Sequence, residues 1–311
     1  METDHDLITI SPTGPETFIK IKKTPRMGLI FLKALLISPF RSNTLADGAI
    51  INKTRMVMRD FMPDHDLINK YRTVCGFKKN TPDMIPITYL QTLFIGLLGK
   101  FITSPFFPLN PMGLIQIFQS FEQKRPVRTS EPLNLACILS GFTKKENGIE
   151  TRFTLEVSTG NEIVWQGISV FFTRIKKKKT SSPKKPDETF LEKKETIPVP
   201  SGTGRLYAAV SGDYNPHHLY TILAKLFGFK KAIAHGMWSL ARVTASLEKE
   251  FGFQGPLSIE ASFKLPVFMP ASTTLGWEPA VDVETSQTMI VFELRDQQKG
   301  LPHLKGRLLL N

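Results

Sequence analysis

A chain of 311 residues has room for two domains of ordinary size. With 41% hydrophobic and 22% charged residues it has the composition of a soluble globular protein and not of a disordered or collagen-like one. The net charge of +12 asks for a polyanionic partner or a basic surface tail, and two cysteines with no CxxC exclude a disulfide framework and structural zinc.

Up to about residue 50 the sequence is hard to read. Leu29 to Ser38 reads equally as a short buried helix or as an interfacial one. The apolar run Met27 to Pro39 is interrupted by Lys33 and is too short to span a bilayer. It also lies too far from Met1, behind acidic residues, for an ordinary signal peptide. The expectation is a cytoplasmic protein without stable membrane insertion.

From Met56 to Gly99 the pattern predicts helix, with a break at Lys78-Lys79-Asn80-Thr81-Pro82. After the break Tyr89, Leu90, Leu93, Phe94 and Leu97 form an apolar stripe at helical spacing. Between Gly113 and Arg174 the period shifts to two. Phe153, Leu155 and Val157 alternate with polar neighbours, as do Ile168, Val170 and Phe172, and Asn147-Gly148 and Gly160-Asn161 are hairpin turns. An antiparallel sheet is predicted there.

Six lysines, Lys176 to Lys179, Lys184 and Lys185, crowd ten residues with Thr, Ser and Pro between them. No aromatic residue is interleaved, so the stretch reads as a solvated linker and not as a nucleic-acid patch. It divides the chain into an N-terminal half, 1–175, a basic linker, 176–200, and a C-terminal half, 201–311. In the second half the pattern predicts helices up to Gly212, from Leu219 to Phe227 and from Gly236 to Phe251. Strands follow near Leu257–Leu265, Thr273–Val283, Thr288–Asp296 and Leu304–Leu309.

The two halves align locally. Tyr71 to Phe77 matches Tyr207 to Asp213 in Tyr, Val and Gly, and Arg125-Pro126-Val127 matches Leu265-Pro266-Val267. In that alignment Phe77 stands where Asp213 stands, and Asn80-Thr81-Pro82 is a poor copy of Asn215-Pro216-His217. The first half reads as a duplicate that has lost its polar groups, and a helix followed by an antiparallel sheet in each half gives an α+β plan.

Chemistry concentrates in Tyr207 to Thr244. Asp213 and His218 are five residues apart, with Asn215 and Pro216 between them, and the proline fixes the chain so that both can turn to one point. Such a pair can hold one water and move its protons. Taken alone, Asp213 reads first as a turn or cap residue, and His235, before Gly236, as a structural hydrogen-bonding histidine and not a second base. Adjacent His217 and His218 rarely both face one ion, so no metal site is expected.

Three stretches in order, Ser211-Gly212-Asp213-Tyr214-Asn215-Pro216-His217-His218, Ile233-Ala234-His235-Gly236-Met237 and Ser262-Phe263-Lys264-Leu265-Pro266-Val267, resemble the MaoC-like (R)-specific 2-enoyl-CoA hydratases. The resemblance is strong over 200–270 and weak over the N-terminal half. It implies a double hot-dog fold, two antiparallel sheets each wrapped around a long central helix, with the one competent site in the C-terminal half. It also implies that Asp213 and His218 bind the reacting water and that the Gly236 N–H meets the thioester carbonyl, with Asn215, His235 and Thr244 lining the substrate. The family position before the catalytic histidine is usually aliphatic, whereas here it is His217; spacing from Asp213 favours His218.

The implied reaction is hydration of a 2-enoyl thioester or the reverse dehydration, in acyl metabolism, without a cofactor. The partner expected is acyl-CoA or an acyl carrier protein, with a homodimer possible and no nucleic acid. A non-catalytic acyl-binding module with the same fold is the alternative.

Overall fold

The computed structural model describes residues 9–46, 50–78, 83–175, 191–281 and 288–310. The N-terminal half runs through strands β1 (Thr9–Ile10) and β2 (Gly14–Lys20), helix α1 (Met27–Ile37) with a 3-10 turn at Ser38–Phe40, and β3 (Asn52–Phe61). Helices α2 (His65–Cys75), α3 (Tyr89–Thr92) and α4 (Ile95–Ile102) come next. Strands β4 (Leu114–Gln123), β5 (Leu133–Lys145), β6 (Gly148–Thr159) and β7 (Glu162–Arg174) complete that half.

The C-terminal half opens with β8 (Lys193–Val199), α5 (Thr203–Ser211), α6 (Pro216–Leu219) and α7 (Thr221–Leu226). Helix α8 (Gly236–Phe251) leads into β9 (Leu257–Phe263), β10 (Ala271–Val281), β11 (Thr288–Asp296) and β12 (Pro302–Leu310).

The strands form one sheet in the order β2-β3-β5-β6-β7-β4-β9-β12-β11-β10-β8, with β1 added beside β5. All pairings are antiparallel except β2 with β3. From β3 to β4 the order is mirrored by that from β8 to β9, so each of the five strands of the C-terminal half has a counterpart in the N-terminal half, where β1 and β2 are additional. The halves meet where β4 pairs with β9, and Ser120 faces Glu260 there. Those two residues precede Pro126 and Pro266 by the same six positions, so a local two-fold passes between them.

The same repeat appears in the helices. Helices α2 and α5 both end on a glycine in the left-handed region, Gly76 and Gly212, each at φ 80°. Only glycine adopts that conformation without steric cost, which is why the Tyr-x-x-Val-x-Gly match survives in both halves. The rings of Tyr71 and Tyr207 lie 6.0 Å apart, both fully buried, where the two helices meet.

Three expectations are corrected. Met56 belongs to a strand: Thr54, Met56 and Met58 are buried while Lys53, Arg55 and Val57 are more open, a period of two that a helical reading overlooks. The linker does not reach 200, because Lys193–Val199 is an edge strand against β10 that buries Ile197 and Val199; residues 176–190 lie outside the described residues. Two antiparallel sheets, each wrapped around a long central helix, were expected, and the strands of the two halves join edge to edge into one sheet. The N-terminal helix is also broken into α3 and α4. The break expected at 78–82 falls on residues 79–82, outside the described residues.

Helix α8, about 24 Å long at 1.5 Å per residue, buries Met237, Leu240, Ala241, Val243, Thr244 and Leu247. Each large aliphatic side chain withdrawn from water in this way contributes about 1.5–3 kcal/mol. The Trp238 indole N–H donates to the Val74 carbonyl at 3.2 Å and ties α8 to α2. In the N-terminal half aromatic side chains fill the equivalent layer, with Phe94 and Phe121 against Trp165 and Phe101 against Phe153.

Candidate active site

The site is built where α5, α6 and α8 converge. Gly212 ends α5 and turns the chain, and the backbone N–H of Asp213 donates to Ser211 Oγ at 3.2 Å. Asp213 Oδ1 accepts from the Asn215 backbone N–H at 3.2 Å and from Asn215 Nδ2 at 2.8 Å, an Asx-type turn that leaves Oδ2 free of those bonds. Pro216, at the first position of α6, needs no N–H partner there and fixes the approach to His218. Helix α5 comes very close to α6: a Cβ on Gly204 would stand 1.9 Å from the His218 carbonyl oxygen.

His218 Nδ1 lies 2.8 Å from the Ile233 carbonyl. A carbonyl only accepts, so Nδ1 carries the proton and Nε2 of the neutral ring keeps its lone pair. By the same reasoning His235 Nε2, 2.9 Å from the Asp213 carbonyl, donates its proton to it. The two imidazoles stack with centroids 3.7 Å apart, and nitrogen and carboxylate atoms of Asp213, His218 and His235 fall within 4.8 Å of one another.

Burial holds both rings neutral. It pushes the His218 pKa well below 6.5, assisted by the neighbouring His235 and His217, and lowers that of His235 to about 3. The Asp213 side chain keeps 23% exposure, so water reaches the carboxylate while the histidines line its inner side.

Asp213 and His218 therefore come together as the spacing predicts. The His217 ring packs against Phe227 and Phe229 at 5.7 and 5.5 Å and lies 4.1 Å from the His218 ring, and it is His218 that joins Asp213 and His235 in one cluster. Gly236 follows His235 as the first residue of α8, where backbone N–H groups have no intrahelical partner and the helix dipole is positive. A Cβ on Gly236 would stand 3.0 Å from the ring of Phe263.

Each of the three residues expected at the substrate makes a hydrogen bond within the protein. Asn215 spends its side-chain amide on Asp213, and His235, 2% exposed, donates to the Asp213 backbone. Both position the aspartate. Thr244 is fully buried, donates to the Leu240 carbonyl at 2.8 Å, and stands about 12 Å along α8 from Gly236. A site at the start of that helix lies more than two turns away from it.

Sequence reading missed Gly204 and Tyr207. The Tyr207 ring, fully buried, packs 4.9 Å from His235 and backs the histidine pair. Its equivalence to Tyr71 was visible in the sequence, whereas nothing there marks the closeness of Gly204 to α6.

The N-terminal half keeps the frame of this site without its chemistry. Ile85 N–H donates to the Val127 carbonyl at 2.8 Å, as Ala234 does to Val267 at 2.9 Å, and Met84 bridges Arg128 as Ile233 bridges Phe268. Pro86 and Ile87 thus stand where His235 and Gly236 stand, and Phe77, stacked on Tyr71, stands where Asp213 does.

The proximity of Asp213, His218 and His235 raises a metal site as a question. His235 Nε2, 3.9 Å from Asp213 Oδ2, already directs its proton to the Asp213 carbonyl and has no lone pair to offer a cation. With His235 Nε2 committed in this way, Asp213 Oδ2 and His218 Nε2 are the acceptors left to hold a water by hydrogen bonds.

Residues 178–295 match the MaoC like domain family. Over 248 residues the chain is 29% identical to 3-hydroxyacyl-thioester dehydratase X of Mycobacterium tuberculosis, covering 75% of this chain and 81% of that protein. The crystal structure of HtdX from M. tuberculosis superposes with a TM-score of 0.68 at 26% identity, covering 82% of this chain and 98% of that one. A MaoC-like dehydratase from Phytophthora capsici does so with a TM-score of 0.65 at 20% identity, over 83% and 95% of the two chains, a likeness of fold. The C-terminal part of the chain thus matches the MaoC like domain, and the chain as a whole shares the hot-dog fold of these dehydratases.

Proposed function

We propose that the protein hydrates 2-enoyl thioesters to (R)-3-hydroxyacyl thioesters, or runs the reverse dehydration, at a single site in the C-terminal half of a double hot-dog. The observation that carries this reading is the pairing of a solvent-reached carboxylate, Asp213, with a buried neutral imidazole, His218, whose Nε2 is left as a base. The similarity to a 3-hydroxyacyl-thioester dehydratase supports the reaction class, and the mirrored strand order supports the double hot-dog.

Hydration adds OH to the β-carbon and H to the α-carbon. Water held between Asp213 and His218 gives up one proton to this pair as its oxygen bonds the β-carbon. The electrons of the double bond move onto the thioester carbonyl, and a proton from the pair then reaches the α-carbon. Proton transfer by positioned groups contributes about 10²–10⁴ in rate. The Gly236 N–H at the head of α8 stabilises the oxygen that gains charge. No metal or cofactor enters the scheme.

Coenzyme A or an acyl carrier protein would carry the acyl group. Lys230, Lys231 and Lys299 line a cavity of about 350 Å³ beside the segment whose Ile233 carbonyl holds His218, and they suit the phosphates of either carrier. Cys75 and Cys137 are both buried and unpaired, in keeping with a reducing compartment such as the cytoplasm, and no described helix is long and apolar enough to cross a membrane.

The test is the loss of enoyl absorbance with 2-enoyl-CoAs of short and long chain, for the wild type and for His218→Ala. Turnover that disappears in a folded His218→Ala supports the assignment. Tight binding of the thioester with no turnover in either protein makes the molecule an acyl-binding module instead.

A further inference from the structure

Helix α1 rests on α4 through one face only. Small residues permit the contact: a Cβ on Gly99 would meet Ile30 at 2.9 Å, and one on Gly96 would meet Pro25 at 3.0 Å. Ala34 is the one residue of α1 that is buried. On the opposite side Leu29, Leu32 and Leu36, spaced by three and four residues, are 64%, 54% and 65% exposed, and Phe40 beyond them is 87% exposed. Arg41 fixes the turn that carries Phe40 by donating to the Ser104 and Phe107 carbonyls. An apolar stripe of this length facing water marks an interaction surface.

Charge decides what covers it. Between Glu16 and Asp47 the sequence has no acidic residue and six basic ones. Of these Lys20, Lys22, Lys23 and Arg26 are exposed just before the helix, and Lys33 is exposed on the outer face among the leucines. A second copy docked on the same stripe would set these cations against each other. An anionic lipid surface complements them, with the leucines and Phe40 entering the acyl boundary and the lysine stems reaching up to the headgroups. Eleven residues give a helix of about 16 Å, roughly half of an apolar bilayer core, so the helix lies in the surface and does not cross it.

We propose that α1, with Phe40 and the basic residues before it, is a docking face for anionic membranes. This holds independently of the reaction assigned to the C-terminal site.

The experiment is co-flotation of the full chain with phosphatidylcholine vesicles, with and without phosphatidylserine, for the wild type, Leu32→Asp/Leu36→Asp and Lys22→Glu/Lys23→Glu/Arg26→Glu. The substituted leucines are already exposed, so Tm should be unchanged in both variants. The expected result is binding that needs phosphatidylserine and falls at least tenfold in each variant. The proposal is overturned by absence of flotation, by binding indifferent to phosphatidylserine, or by equal binding of the variants. It is equally overturned by a solution dimer that Leu32→Asp/Leu36→Asp dissociates, since the stripe would then be covered by a second copy.

Discussion

Replacing Asp213 by asparagine probes the site with the least disturbance to the fold. The carbonyl oxygen of an asparagine can accept the two bonds that Oδ1 now takes from Asn215, at 3.2 and 2.8 Å, so the turn survives. At Oδ2, however, an acceptor becomes an NH₂ donor, 3.9 Å from a His235 nitrogen that is itself a donor. The water would lose its carboxylate and meet a wrong hydrogen-bond partner. Loss of general acid–base help of about 10²–10⁴ corresponds to about 2.7–5.4 kcal/mol of activation free energy at 1.36 kcal/mol per tenfold. The assay is the kcat of enoyl-CoA hydration alongside thermal unfolding, and Tm should move by no more than a few degrees. A folded Asp213→Asn protein that retains kcat within tenfold of the wild type would refute the role given to the carboxylate.

Other outcomes follow from the same geometry. Gly204→Ala forces a Cβ to 1.9 Å from the His218 carbonyl, so urea denaturation should show a loss of about 3 kcal/mol, or the protein should fail to fold. Gly236→Ala meets only the edge of the Phe263 ring, at 3.0 Å, and should cost about 1 kcal/mol; equal penalties at the two positions would contradict the packing described. His235 is neutral in the fold, with a pKa of about 3 against 6.5 unfolded, so between those values the unfolded chain binds the extra proton. Stability should therefore fall as pH drops from 6.5 towards 3, by up to about 1.4 kcal/mol per pH unit for this one group, and urea midpoints at pH 7 and 5 that coincide would be the contrary result.

What the sequence disclosed was local in character. The Asp213-to-His218 turn was legible because proline and an Asx residue determine backbone direction by themselves, and α8 because its glycine start and apolar face obey one period. The strands from Leu114 to Arg174 were legible from alternation and two Gly turns. The edge strand Lys193–Val199 was hidden because only Ile197 and Val199 face inward, among lysines that read as solvent-exposed. The full burial of Thr244 was not legible because counting along a helix gives its face but not what covers that face. The roles of Asn215 and His235 depended on which backbone carbonyls stand nearby, and a carbonyl leaves no trace in residue identity.

The pairing of β4 with β9 means that neither half is closed by itself. A C-terminal fragment starting at β8 would hold every group assigned to catalysis, yet it would expose the β9 backbone from Leu257 to Phe263 as a bare edge ready to recruit any extended chain. The first half thus acts as a built-in sheet partner, and losing it would leave a molecule that must find a substitute for β4 or clump.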